Sequence, residues 1–134
     1  MRKNYFKTFI IGMIMLTMLG AGCTKKGMYH VVVKNDGTKE LNNVTLSYDK
    51  FEHNFGILIP KEDKGYTFAG DLHPLPNEAT LEWQTSDKKW HKQIVKVKSV
   101  ILKNYKDIDI YFNIDDNNRV TVTYEDKAKR PWSK

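Results

Sequence analysis

Residues 107–114 read DIDIYFNI, with Ile108, Ile110, Phe112 and Ile114 alternating against Asp107, Asp109, Tyr111 and Asn113. A period of two lets one face of an extended chain be apolar and the other polar, so this segment is read as a half-buried β-strand. NNVTLSYD (42–49) alternates in the same way, with Val44, Leu46 and Tyr48 on one face, and RVTVTYE (119–125) returns after the DDNN turn with Val120, Val122 and Tyr124 inward. MYHVVVKN (28–35) is rich in β-branched residues and is followed by an Asp-Gly turn signal. FGILIP (55–60) reads as a buried run ended by proline, GYTFAG (65–70) as a short strand, and ATLEWQT (79–85) as a strand with Leu81 and Trp83 on one face. WHKQIVKVK (90–98) completes the set, and its apolar phase shifts between Ile94 and Val95, which predicts a β-bulge or a change of packing partner.

About eight short strands at intervals of roughly 10 residues, with no amphipathic helix, predict an all-β fold: an antiparallel β-sandwich of about 7–8 strands, immunoglobulin-like in architecture. A small β-barrel is the alternative. The paired cysteines of antibody domains are absent, because the chain has one cysteine, Cys23.

That cysteine has a particular setting. Arg2, Lys3 and Lys7 precede the uncharged run FIIGMIMLTML (9–19), and Gly20, Ala21 and Gly22 lead directly into Cys23. A basic start, an apolar stretch of about 7–15 residues and small residues form the plan of a secretory signal, and the run is shorter than the roughly 20 residues of a spanning helix. The segment MLGAGCTKK resembles the lipobox of bacterial lipoproteins, with Leu19 four places before the cysteine and Gly20 in the place three before it. The resemblance implies cleavage before Cys23, diacylation of its sulfur and acylation of the new amino group. Thr24 stands where that family carries a retaining aspartate, which implies the outer membrane, facing the periplasm, in a two-membraned host. Ordinary signal cleavage that leaves a free thiol, and an uncleaved anchor, are the other readings. Acylation accounts for an odd thiol in an exported protein, and two or three chains make an anchor durable where one is marginal.

Domain organisation follows: residues 1–22 a signal peptide that is removed, 23–27 the lipidated cysteine and tether, 28–125 the sandwich, and 126–134 a basic tail. Taking 22 residues from 134 leaves 112, enough for a core without disulfides. Arg2, Lys3 and Lys7 leave with the signal, so the 22 basic residues fall to 19 against 16 acidic ones. A balance of +3 gives no reason to expect nucleic acid as a partner. Much of the excess lies near the chain ends, at Lys25, Lys26 and KAKRPWSK, where attraction to anionic lipid is one reading and a solvated end the other.

The chain contains no G-x-S-x-G elbow, H-E-x-x-H pair, P-loop or C-x-x-C motif. His30, His53, His73 and His91 are scattered over different predicted elements, and the acid-rich segment 107–118 lacks the order of a calcium loop. The expectation is therefore no catalytic residue, no metal and no cofactor. Trp83 is in phase with the core, whereas Trp90, beside His91, and Trp132, after Pro131, are harder to bury and are candidates for a contact surface. GDLHPLPNEA (70–79) is a proline-stiffened connection containing His73.

The stretch from LPNEATLEWQTSDKKWHKQIVKV to DIDIYFNIDDNNRVTV resembles the carboxyl half of small sandwich lipoproteins of proteobacteria, some of which are immunity partners of secreted envelope toxins. The sequence thus leads to an expected function: a non-catalytic protein-binding module anchored at the membrane through Cys23, with an immunity protein or enzyme inhibitor as one form. Its expected partner surface is Trp90, His91, His73, the 70–79 loop and Trp132, gathered near one edge. An envelope-maintenance or small-ligand-binding lipoprotein, with an apolar pocket between the sheets, is the alternative.

Overall fold

The computed structural model describes residues 27–69, 74–100 and 106–127. The signal segment, Cys23, His73 and the tail with Trp132 lie outside the described residues. Eight strands form two sheets: β1 (Met28–Asn35), β2 (Leu41–Tyr48), β3 (Phe51–Asn54), β4 (Asp63–Ala69), β5 (Glu78–Thr85), β6 (Trp90–Lys96), β7 (Asp107–Ile114) and β8 (Val120–Asp126). One sheet has the order β4-β1-β7-β8 and the other β3-β2-β5-β6. The pairs are antiparallel except β1 and β7, which run parallel over the whole of β1. The fold is the expected sandwich. Its strand order differs from that of antibody constant domains, so the likeness to them is one of architecture.

Strand directions sort the connections to two ends. At the upper end lie the β1–β2 loop, the 55–62 crossover and the β5–β6 and β7–β8 turns. At the lower end lie the start of β1, the β2–β3 turn, the entry to β5, the exit from β6 and the end of β8.

The alternation delivers its side chains inward as the sequence predicts. Tyr29, Val31 and Val33 of β1, Val44, Leu46 and Tyr48 of β2, Ala79, Leu81 and Trp83 of β5, and Ile108, Ile110, Phe112 and Ile114 of β7 are all buried. Val122 and Tyr124 pack half-buried against them. The Tyr48 hydroxyl lies inside with Tyr29. Burial first, and the hydrogen bond to Tyr29 second, push it well above the ordinary tyrosine range.

Two local expectations are corrected. Residues 55–60 are not a strand: Phe55 and Leu58 are buried, but Ile57 and Ile59 are 50% and 54% exposed. Gly56 takes φ of 73° and donates its N–H to Asn54 Oδ1 at 2.7 Å. That turn ends β3; the Phe55 N–H still donates to Val44 O at 2.7 Å, Gly56 O accepts the Val44 N–H at 3.0 Å, and Leu58 pairs with Leu41. Of the two readings of the phase shift in β6, the bulge is absent, because β5 and β6 pair without interruption from Glu78–Lys96 to Gln84–Trp90. The irregularity is instead in β2, between Asn42 and Thr45, where Asn43 takes φ of 50°, a conformation that asparagine tolerates better than most residues.

Side chains, not backbone ladders, bridge the two edges, so the sheets do not close into a barrel. At one edge Phe51 and His53 of β3 meet Tyr66 of β4, with His53 and Tyr66 ring centroids 4.3 Å apart. At the other, Gln93 Oε1 of β6 accepts the Val120 N–H of β8 at 2.9 Å. Among the described residues no helix is long and apolar enough to cross a membrane.

Asn35 is buried at the upper end and uses its whole amide. Nδ2 donates to Lys39 O at 2.7 Å and Leu58 O at 3.0 Å, and Oδ1 accepts the Gly37 N–H at 3.0 Å. It thereby joins β1, the β1–β2 loop and the crossover. Asn35→Ala strands these groups and is expected to lower stability by about 2–3 kcal/mol in urea unfolding. Asn35→Asp sets a carboxylate against two carbonyl oxygens, which raises its folded-state pKa. Its stability deficit should therefore be smaller at pH 4 and grow as pH rises toward 7.

Candidate functional site

β6 has an inverted pattern over its first half. Its outward positions are Trp90, Lys92, Ile94 and Lys96, and its inward positions are His91, Gln93 and Val95. The polar inward residues have specific partners. The His91 ring stacks on Trp83, with centroids 5.6 Å apart and planes at 15°, and its Nε2 lies 3.4 Å from Thr85 Oγ1. Gln93 holds the Val120 N–H. The outward apolar pair, by contrast, is not used by the core: Trp90 and Ile94 are each 61% exposed. Four residues of strand separate them by about 13 Å. Between them Lys92 reaches across to Glu82 at 2.7 Å, while Gln84 and Thr80 stand opposite Trp90 and Ile94. The result is two apolar anchors on a polar, charge-neutralised sheet face.

Of the expected contact surface, Trp90, His91 and residues 74–79 lie within the described residues. Trp90 and His91 point to opposite faces of β6. The described part of the 70–79 loop, with Leu75 half-buried on the core, enters β5 at Glu78. That position is six residues from Gln84, or about 20 Å of strand from the level of Trp90. The structure places Ile94 on the same outward face as Trp90. The signal that could have found it is the spacing: Trp90 and Ile94 share one strand face while Val95 and Val97 share the other.

His91 contributes to a different feature, a polar cleft of about 290 Å³ at the upper end, which also takes in Lys39, Asp87, Asp115, Asp116 and Asn118. Its carboxylates are occupied by the turns that carry them or, for Asp116, by the neighbouring β1–β2 loop. Asp116 accepts the Thr38 N–H at 2.7 Å, and that bond first of all holds its carboxyl below the usual range; for Asp87 the Thr85 hydroxyl does the same. Asp115 Oδ1 accepts the N–H groups of Asn117 and Arg119, both at 2.9 Å. Trp83 Nε1 donates to Asn118 Oδ1 at 3.2 Å, fixing the β7–β8 turn over the core. Among the described residues no group of three His, Cys, Asp or Glu side chains could hold a metal ion.

On the outer face of the other sheet, Thr67 Oγ1 bonds to His30 Nδ1, and His30 Nε2 lies 3.7 Å from Asp107. Lys127 adds contacts at 2.9 Å to Asp109 and 3.9 Å to Asp107. This hydroxyl–imidazole–carboxylate series lies across the strands β4, β1 and β7, and its aspartate is shared with Lys127. It ties three strands together across a sheet face, with Lys127, just past the end of β8, joined to it.

The chain matches no protein-family model and no curated protein sequence. Among solved structures it is similar to an NMR structure of a protein from Eubacterium rectale, at 12% identity and a TM-score of 0.45, over 83% of this chain and 100% of that one.

If Trp90 and Ile94 serve binding and their inward neighbours serve folding, truncations should separate cleanly. Trp90→Ala and Ile94→Ala should each change stability by less than about 0.5 kcal/mol. Gln93→Ala should cost about 1 kcal/mol by stranding the Val120 N–H, and Trp83→Ala about 3–5 kcal/mol. Urea unfolding of the four variants measures this order.

Proposed function

We propose that this chain is a lipid-anchored protein of the bacterial cell envelope that works as a non-catalytic protein-binding module, docking through Trp90 and Ile94. An immunity protein, or an inhibitor that occludes an envelope-targeting enzyme, is the form the sequence resemblance favours. The observation that carries the reading is the inversion of β6: its large apolar side chains face solvent while polar ones face the core. Exposed aromatic and aliphatic residues on a rigid element make good anchors, because little conformational entropy is lost when a partner covers them. At about 25 cal/mol per Å², covering the exposed parts of both side chains releases on the order of 5 kcal/mol before the costs of association. Lys92 and Glu82, already paired, supply a polar surround. The space between the sheets, which a carrier of small apolar ligands needs open, is occupied by Trp83, Tyr29 and Phe112.

The lipid anchor rests on Cys23 and its setting. The full chain expressed in a bacterial host should lose residues 1–22, gain acyl mass and partition into detergent, whereas Cys23→Ser should do none of these. Intact mass spectrometry reads the outcome directly. An unacylated wild-type product would overturn the anchored location.

A further inference from the structure

β6 is an edge strand, last in the order β3-β2-β5-β6. At its upper end the Thr85 N–H donates to Lys89 O at 3.0 Å, and below it the Val97 N–H donates to Asn77 O at 2.9 Å. Backbone groups of an antiparallel strand turn alternately to either side, so the odd-numbered residues from 89 to 97 face β5. The N–H and C=O groups of Trp90, Lys92, Ile94 and Lys96 therefore point away from the sheet, and among the described residues no backbone group pairs with them. The strand runs seven residues without glycine, proline or a bulge, whereas β3, at the far edge of the same sheet, has four. On the neighbouring edge of β8 the Val120 N–H is already taken by Gln93. The residues with open backbone groups are also those with outward side chains, so the two apolar anchors and the row of free donors and acceptors lie along one line.

Resting on the docking reading of Trp90 and Ile94, we propose that the partner is held by strand addition: an extended segment of another protein pairs with the free edge of β6. Unpaired donors and acceptors that recur about every 6.8 Å match the backbone of a strand. Side chains of the added strand stand opposite those of β6, with Cβ atoms about 4.5–5.5 Å apart. Apolar residues four apart therefore cover Trp90 and Ile94, and a residue two places beyond meets Lys96. Charge makes that residue acidic. The β5–β6 hairpin carries five lysines, Lys88, Lys89, Lys92, Lys96 and Lys98, against the carboxylates Glu78, Glu82 and Asp87. Glu82 is held by Lys92 and Asp87 by Lys89. Glu78 stands opposite Lys96 in the ladder, yet among the described residues neither it nor Lys88, Lys96 or Lys98 makes an ion pair. A second copy of the chain fits poorly. Setting Trp90 against Ile94 of another β6 brings the two copies of Lys92 directly opposite one another and Lys96 level with Lys88, and like charges so placed repel.

The test uses the full-length chain in its native host with a photo-crosslinking amino acid at position 90. Lys92→Pro removes one outward N–H and fills its place with a ring, while every ladder bond to β5 and the Ile94 side chain remain. Lys92→Ala loses the same charge and keeps the N–H. The expected result is a discrete adduct with another protein, whose yield in Lys92→Pro falls at least about tenfold below that in Lys92→Ala. Lys96→Glu keeps every N–H and should lower the yield by at least about threefold. Urea unfolding checks that each variant is folded, and Lys96→Pro, at the last residue of the strand, repeats the backbone test if Lys92→Pro is not. Equal yields from folded Lys92→Pro and Lys92→Ala would overturn strand addition and leave docking on the face of β6 standing. An undiminished adduct in Lys96→Glu would overturn the acidic segment, and an adduct of twice the chain's mass would put a second copy in the partner's place. No adduct from the chain without these substitutions would overturn the docking reading and this inference with it.

Discussion

The indole of Trp83 is the contact on which the upper half of the sandwich depends. It fills the core from β5, stacks on His91 of β6 and donates its N–H to Asn118 in the turn that joins β7 to β8. One side chain thereby links both sheets, and it supplies the face against which an imidazole can occupy an inward position. Because His91 is accommodated there and Gln93 is held by the β8 backbone, β6 is fixed in register with polar residues inside. The same register forces Trp90 and Ile94 outward. What looks like an exposed anomaly is the geometric consequence of a core contact two strands wide.

Much of this was legible in the sequence, and the failures have physical reasons. Segments 28–35, 79–85, 107–114 and 119–125 matched their strands within a residue, because each buries one face against the opposite sheet and repeats apolar residues with period two. Segment 55–60 misled because contiguous apolar residues conceal which of them point inward, and the left-handed turn at Gly56 directs Ile57 and Ile59 to solvent. β6 misled because the partners that satisfy His91 and Gln93 come from β5 and β8, and local periodicity carries no record of them. The parallel pairing of β1 with β7, across more than seventy residues, is equally invisible to a local pattern. Of the candidate site, exposure of Trp90 was legible from its phase, but its companion was not. The upper cleft is assembled by topology from three separate turns, and no single stretch of sequence describes it.

The two ends of the sandwich differ in character. Turns at the upper end are rigidly capped: Asp115 and Asp116 hold backbone N–H groups, and Asn35 satisfies three partners from inside. A capped end costs little entropy when a partner settles on the neighbouring strand. The lower end gathers the first residue of β1, Met28, and the last of β8, Asp126.

The central claim is that the outward pair on β6 is a protein-docking surface. The most direct measurement places a photo-crosslinking amino acid at position 90 or 94, and at position 47 on the same sheet face as a control, in the protein's native host. The account predicts one discrete protein adduct, of the same mass from positions 90 and 94, absent from position 47, and lost from position 90 when Ile94→Asp is added. No adduct from either position, or the same adduct from position 47, would contradict it.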